Sequence, residues 1–274
     1  MEPTGVLGVL AGALNVAGND APPHPQRPWY SVRNLAQGEA EIFIYDFIGF
    51  DPFFGGVGAA DFVRELRAIN APKILLRINS PGGDITEAVA IRTALKEHPA
   101  EIETHIDGIA ASSASWVGLA GDSVLIAPHA TMMIHEPWNI VAGDAETMRK
   151  VAEELDLFGG EIAEMYQEKA GGAADDWRAK MREETWFTDQ EAVDAGLADE
   201  IAGQPADAAA NRYDPAILTL FRNTPPHLTQ RPQTQPPASN DDPPPPADSP
   251  ANLELVRAVL DYQRDESRRL GVAV

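Results

Sequence analysis

Lys73-Ile74-Leu75-Leu76-Arg77-Ile78, followed by Asn79-Ser80-Pro81-Gly82-Gly83 and then by Asp84, is the stretch that decides how this chain folds. The first six residues read as a continuous apolar strand. Pro81 ends it, and the two glycines permit the positive φ and close backbone approach of a sharp turn. Asp84 then stands as the N-cap of a helix whose inner face carries Ile85, Ala88, Ile91 and Leu95 at helical spacing. The unit is strand, tight turn, helix.

The same alternation continues on both sides. Glu41 to Phe47 reads as a strand, and Ala59 to Ile69 has helical periodicity. Glu101 to Ile106 is another strand, followed by the small-residue run Gly108 to Ala114 and a short helix. Val124 to Ala127 and Thr131 to Ile134 are short strands, and Asp144 to Lys169 is a long helix. Strands alternating with helices predict an α/β fold with a mostly parallel sheet and right-handed crossovers. No internal repeat is visible.

Composition separates the chain into regions. Residues 1–28 end in Pro22, Pro23, Pro25 and Pro28 and read as an N-terminal arm, mobile or partner-docking. Its apolar run Val6 to Ala17 is too short to span a bilayer, and Glu2 stands where a signal peptide carries positive charge. Residues 29–221 form the expected folded domain. Residues 222–252 hold 10 of the 23 prolines and no glycine, so they read as an extended, disordered linker. In residues 253–274, Leu253, Val256 and Leu260 repeat at helical spacing, which predicts a short amphipathic helix suited to docking or oligomerisation.

The 274 residues are 44% hydrophobic, enough for one substantial core. A net charge of −21 repels phosphate, so a nucleic acid is not an expected partner, and with no apolar run long enough to span a bilayer neither is a membrane. The chain has no cysteine, which excludes thiol catalysis, disulfides and Cys-zinc sites.

Three local patterns carry chemistry. In Gly108-Ile109-Ala110-Ala111-Ser112-Ser113, small residues precede a serine between a strand and a helix. That is where open α/β sheets place active sites, and free N–H groups at a helix start favour a developing oxyanion. Such a turn is also commonly mere packing. In Met132-Met133-Ile134-His135-Glu136-Pro137, an apolar strand delivers a histidine and Pro137 ends it, although histidines at strand ends are often structural. Asn79-Ser80-Pro81-Gly82-Gly83 offers N–H groups to an anion or a peptide carbonyl, but it lacks the Lys-Ser/Thr ending of a phosphate loop. His129 and His135 make only a weak metal pattern with no third ligand nearby.

Taken in order, Ser-Pro-Gly-Gly, Gly-x-Ala-Ala-Ser, Met-Ile-His-x-Pro, an acidic residue, and Glu191-Ala192-Val193-x-x-Gly196-Leu197-x-Asp199 resemble the Clp protease proteolytic subunit. The resemblance covers roughly Glu39 to Ile201. The interval from Ser112 to His135 is also similar to that of the family. It implies a crotonase-like fold of β-β-α units, assembly into rings, and a Ser-His-acid endopeptidase without metal or cofactor. By position it makes Ser112 the nucleophile, His135 the general base and Glu184 the acid. Gly83 and Ser113 supply oxyanion N–H groups, and Gly82 lies in the substrate-binding turn.

The match has departures. Glu184 stands where the family has aspartate, so Glu183 and Asp189 stay open as alternatives. Thr185 replaces an arginine that takes part in pairing two rings. Ser113 and Ser115 crowd the nucleophile. With Tyr45-Asp46-Phe47-Ile48-Gly49 and Phe53-Phe54-Gly55-Gly56-Val57, these departures are most similar to the Clp-related prohead proteases of tailed phages, which process scaffold, portal or capsid proteins in the cytoplasm of the host cell. The rivals are a housekeeping Clp subunit working with an ATP-driven unfoldase, a Ser-Lys peptidase of the signal-peptide type, an acyl-CoA crotonase, and an inactive scaffold.

Overall fold

A computed structural model describes residues 29–35, 38–49, 58–139, 141, 143–202, 218 and 221–229. The chain divides into two compact units, and every described residue falls in the larger, residues 1–51 and 55–231. The expected arm (1–28), the run 53–57, most of the expected linker and the expected terminal helix (253–274) lie outside the described residues.

The architecture is a mixed α/β sheet flanked by helices. Strand β1 (Tyr30–Asn34) pairs antiparallel with β2 (Glu39–Ile44). Then β2, β3 (Lys73–Ser80) and β4 (Glu101–Ala111) run parallel, with Ile42 opposite Leu76 and Leu76 opposite Thr104. The first half of β4 pairs with β5 (Ser123–Ile126), which in turn carries the two-residue β8 (Glu200–Ile201). The second half of β4 pairs instead with β6 (Thr131–Ile134), and β6 pairs antiparallel with β7 (Thr185–Thr188). Long β4 is therefore shared between two successive neighbours.

The helices are α1 (Ala59–Ala68), α2 (Ile85–Lys96), α3 (Ser113–Gly118), α4 (Ala145–Ala170), α5 (Ala174–Glu183), α6 (Asp189–Asp194) and α7 (Pro226–Thr229). Asp84 caps α2 by accepting from Glu87 N, as the sequence predicts, and Asp144 caps α4 by accepting from Thr147 N. The core forms where Ile42, Ile44, Ile74, Leu76, Ile78, Ile102 and Ile106 meet Phe62, Leu66, Ile91 and Leu95. Each such side chain contributes about 1.5–3 kcal/mol by leaving water, and trimming Leu66 to alanine is expected to cost about 2–5 kcal/mol.

The strand expected over Lys73 to Ile78 runs on to Ser80; Ile74, Leu76 and Ile78 are fully buried, whereas Lys73, Leu75 and Arg77 are half-buried on the other face. There Arg77 donates from Nε and a terminal nitrogen to Asp107 (2.9 and 2.6 Å), and the Tyr45 hydroxyl donates to the same carboxylate. The strand expected over Glu101 to Ile106 runs on to Ala111, because Ala110 has partners on both sides, Ser80 and Met132. Gly108 is required within it, since a Cβ there would lie 2.7 Å from Asn79 Oδ1.

Candidate active site

Register alone gathers the predicted residues. Strands β3, β4 and β6 run parallel and end at one edge, the place where open α/β sheets put their ligands. Ala111 is paired with Met133, so Ser112, the next residue of one strand, and His135, two residues on in the other, leave the sheet side by side. Ile134 is paired antiparallel with Thr185, which sets Glu184 beside His135.

At the end of β4 the backbone turns abruptly. Ser112 has φ 52° and ψ −130°, a region that costs a non-glycine residue about 1–3 kcal/mol. Its N–H donates to Met133 O at 3.0 Å, and its carbonyl accepts from Ser115 N (3.0 Å) and from Ser115 Oγ (2.6 Å). Ser115 Oγ is also 2.7 Å from the buried Tyr166 hydroxyl. These bonds hold the strained turn and lift the Ser112 hydroxyl out of the packing. It lies 2.7 Å from His135 Nε2. The neighbouring hydroxyls are engaged elsewhere, Ser113 with Gly83 O at 3.3 Å and Ser115 as above, so of the three serines only Ser112 reaches the imidazole.

The Pro81-Gly82-Gly83 turn closes over this elbow. Gly82 has φ +96°, and a Cβ there would lie 2.7 Å from Ser112 Cβ and 2.9 Å from Ser113 N. Gly83 is gripped by Ile48, which donates to Gly82 O (2.8 Å) and accepts from Asp84 N (3.0 Å). A Cβ on Gly83 would fall 2.1 Å from Ile48 O. Among the described residues, neither Gly83 N nor Ser113 N donates a hydrogen bond to protein.

His135 is pushed down to about 4, chiefly because burial disfavours the imidazolium. The Glu184 and Glu136 carboxylates oppose that shift, and the Arg222 guanidinium adds to it. At neutral pH the ring is uncharged and able to accept a proton. Glu136, next in sequence, is clamped bidentately by Arg178 (2.7 and 3.1 Å) and donates its N–H to Met181 O.

Of the three candidate acids, Glu184 is buried beside His135, Glu183 is exposed, and Asp189 lies at the far end of β7, accepting from His129 N. Yet no hydrogen bond joins Glu184 to His135. Its Oε2 accepts from Arg222 N at 2.8 Å, and its Oε1 accepts from Asn223 N at 2.6 Å and from Trp186 Nε1 at 3.3 Å. The expected linker begins at Arg222, but residues 221–229 are folded onto this site. The usable signal was Leu218, Phe221 and Leu228, apolar residues set among the prolines. Among the described residues, no group of three or more His, Asp or Glu is placed to hold a metal ion, and no helix is long and apolar enough to cross a membrane.

Residues 57–205 match a family model described as Clp protease. The chain is 35% identical over 131 residues to the ATP-dependent Clp protease proteolytic subunit 2 of Corynebacterium glutamicum, which covers 47% of this chain and 65% of that one. It is 34% identical over 130 residues to subunit 1 of Corynebacterium jeikeium, covering 47% and 69%. Over 137 residues it is 28% identical to the proteolytic subunit of Pleurastrum terricola, covering 49% and 70%. The chain thus spans about two thirds of the length of the curated relatives it matches. By sequence, and with a sheet that brings Ser112 to His135, the chain belongs to the Clp protease family.

Proposed function

We propose that the chain is a serine endopeptidase working through an acyl-enzyme, with Ser112 as nucleophile, His135 as general base and Glu184 as the acid that orients it. The observation that carries this reading is the 2.7 Å approach of Ser112 Oγ to His135 Nε2 on a strained strand-to-helix turn. His135 takes the Ser112 proton as the oxygen attacks a peptide carbonyl. The resulting imidazolium then gives that proton to the leaving amine. Water, deprotonated by the same ring, releases the acyl group. The Gly83 and Ser113 N–H groups, which have no acceptor among the described residues, are the donors for the developing oxyanion. Gly82 lets the substrate-binding turn approach the nucleophile.

The test is labelling of the full chain with a fluorophosphonate probe, followed by mapping of the modified residue. Adduct on Ser112, abolished in His135→Ala, supports the reading; a protein that stays unlabelled even after prolonged exposure to the probe sinks it and favours the inactive scaffold. A Ser112→Ala variant that kept its activity would point to acyl-CoA chemistry on a crotonase-like fold.

The narrower reading is a phage prohead protease, soluble in the host cytoplasm, assembled as a homo-oligomeric ring and acting on scaffold, portal or capsid proteins. It is supported by Glu184 and Thr185 in place of the family's Asp-Arg pair and by long stretches outside the matched residues 57–205, read as arm, tether and terminal helix. The alternative is a subunit working with an ATP-dependent unfoldase; the relatives are named as proteolytic subunits of an ATP-dependent Clp protease. Portal and capsid genes beside this one would decide for the phage role, and light scattering would read the ring.

A further inference from the structure

Leu218 and residues 221–228 reach the site from beyond the family match, which ends at residue 205. Leu218 is 2% exposed and forms, with Ile109, Ala111 and Met133, an apolar cluster separate from the main core. Trp186, Phe221 and Leu228 pack around it. The cluster sits on the very strand ends that carry the elbow: Ala111 precedes Ser112, and Met133 O accepts the Ser112 N–H. The apolar face beside the nucleophile is therefore covered by the chain itself.

The same segment engages the other two candidate residues. Phe221 stands against the His135 ring. The Arg222 and Asn223 N–H groups take one Glu184 oxygen each, and Arg222 Nε lies 3.7 Å from Oε2. The Asn223 side chain donates to Glu183 O, the Arg222 guanidinium donates to Arg182 O, and Thr224 Oγ1 closes the segment on Leu218 O. Backbone N–H groups are fixed donors, and charge-assisted bonds to them compete directly with an imidazole for the carboxylate.

We propose that Leu218 and residues 221–228 form a cis-acting strap that holds the protease idle. Leu218 and Phe221 occupy the apolar face along which a peptide substrate would lie, while Arg222 and Asn223 keep Glu184 from His135. This rests on the assignment of Ser112, His135 and Glu184 made above. Of the described strap side chains Leu218 alone is fully buried, so an apolar peptide segment arriving in trans offers the same burial and displaces it. The strap then acts as a threshold that admits substrates carrying large apolar side chains next to the scissile bond.

The test compares the rate of fluorophosphonate labelling at Ser112 in the full chain, in the Leu218→Asp/Phe221→Ser pair, and in Asn223→Pro, which removes one N–H to Glu184 outside the apolar cluster. Because labelling scales with the fraction of open sites, the pair is expected to label at least about tenfold faster and Asn223→Pro about threefold faster. Circular dichroism shows which variants are folded; if the pair is not, Asn223→Pro alone decides. Equal or slower labelling in a folded variant overturns the strap and leaves Ser112 as nucleophile. Failure of every protein to label overturns the nucleophile and the strap together.

Discussion

The Phe221 ring stands edge-on to the His135 imidazole, with centroids 5.4 Å apart and planes at 77°. This contact joins a segment outside the family match to the group proposed as catalytic base, and it helps keep water from the ring. An imidazole so enclosed is reluctant to charge.

The first prediction concerns pH. His135 sits near 4 in the folded chain against an ordinary 6.5, so labelling at Ser112 should stay level from pH 8 to about pH 5 and halve near pH 4. The same shift acts on stability. Between 6.5 and 4 the unfolded chain binds a proton that the folded chain refuses, so stability falls as pH falls through that window and levels off below it. The largest loss is about 3 kcal/mol. Urea unfolding of the wild type and of His135→Asn, which cannot titrate there, should diverge from pH 6.5 down to pH 4; parallel profiles would refute the shift.

The second concerns the turn over the elbow. Alanine at Gly82 would place a Cβ 2.7 Å from Ser112 Cβ at φ +96°. One of the two backbones must retreat, and the N–H groups proposed as oxyanion donors retreat with it. Peptide hydrolysis by Gly82→Ala should fall by about 10²–10³-fold in kcat, the size of effect that follows loss of one oxyanion donor. Retention of more than a tenth of the wild-type rate would dissociate Gly82 from the site.

How far these features could be read from the sequence depends on the range of the interactions that make them. The β3 turn and the Asp84 cap are local, and their residue types announce them. The continuation of β4 through Gly108 to Ala111 reads in the sequence as a turn, because small residues have no strand signature of their own. Pairing with Ser80 and Met132 makes them a strand. Strand β7 is four residues long, and its partner in β6 lies more than 50 residues away in sequence, so no periodicity marks it. The prolines around Asn223 make it read as linker in the sequence. Its decisive contact is a backbone N–H to Glu184, 39 residues away, and every residue except proline has such a group.

The third concerns the polar face of the sheet. Arg77 and Asp107 are 13% and 8% exposed and joined by two hydrogen bonds. Replacing Arg77 by methionine leaves the Asp107 carboxylate nearly buried, with the Tyr45 hydroxyl as its remaining hydrogen-bond donor. Loss of one partner of such a pair costs about 3–5 kcal/mol when fully buried, and about 2–3 kcal/mol is expected at this partial exposure. Arg77→Met should lose that much in urea unfolding at pH 7, and Arg77→Met/Asp107→Leu should recover most of it. A double variant no better than the single would show that packing of the Arg77 stem matters more than its charge.

The last concerns the strain at Ser112. With φ 52° and ψ −130°, the residue occupies backbone space that suits glycine and burdens any side chain. Both Ser112→Gly and Ser112→Ala delete the hydroxyl and its bond to His135, so hydrolysis should vanish in both. Comparing the two cancels that bond and isolates the backbone term. Relief of strain favours glycine by about 1–3 kcal/mol, while the looser unfolded chain takes back about 0.4–1 kcal/mol. Ser112→Gly should therefore be about 1 kcal/mol more stable than Ser112→Ala by thermal or urea unfolding. If alanine proves equal or better, the turn holds no strain, and the serine is presented by packing and by the Met133 and Ser115 hydrogen bonds alone.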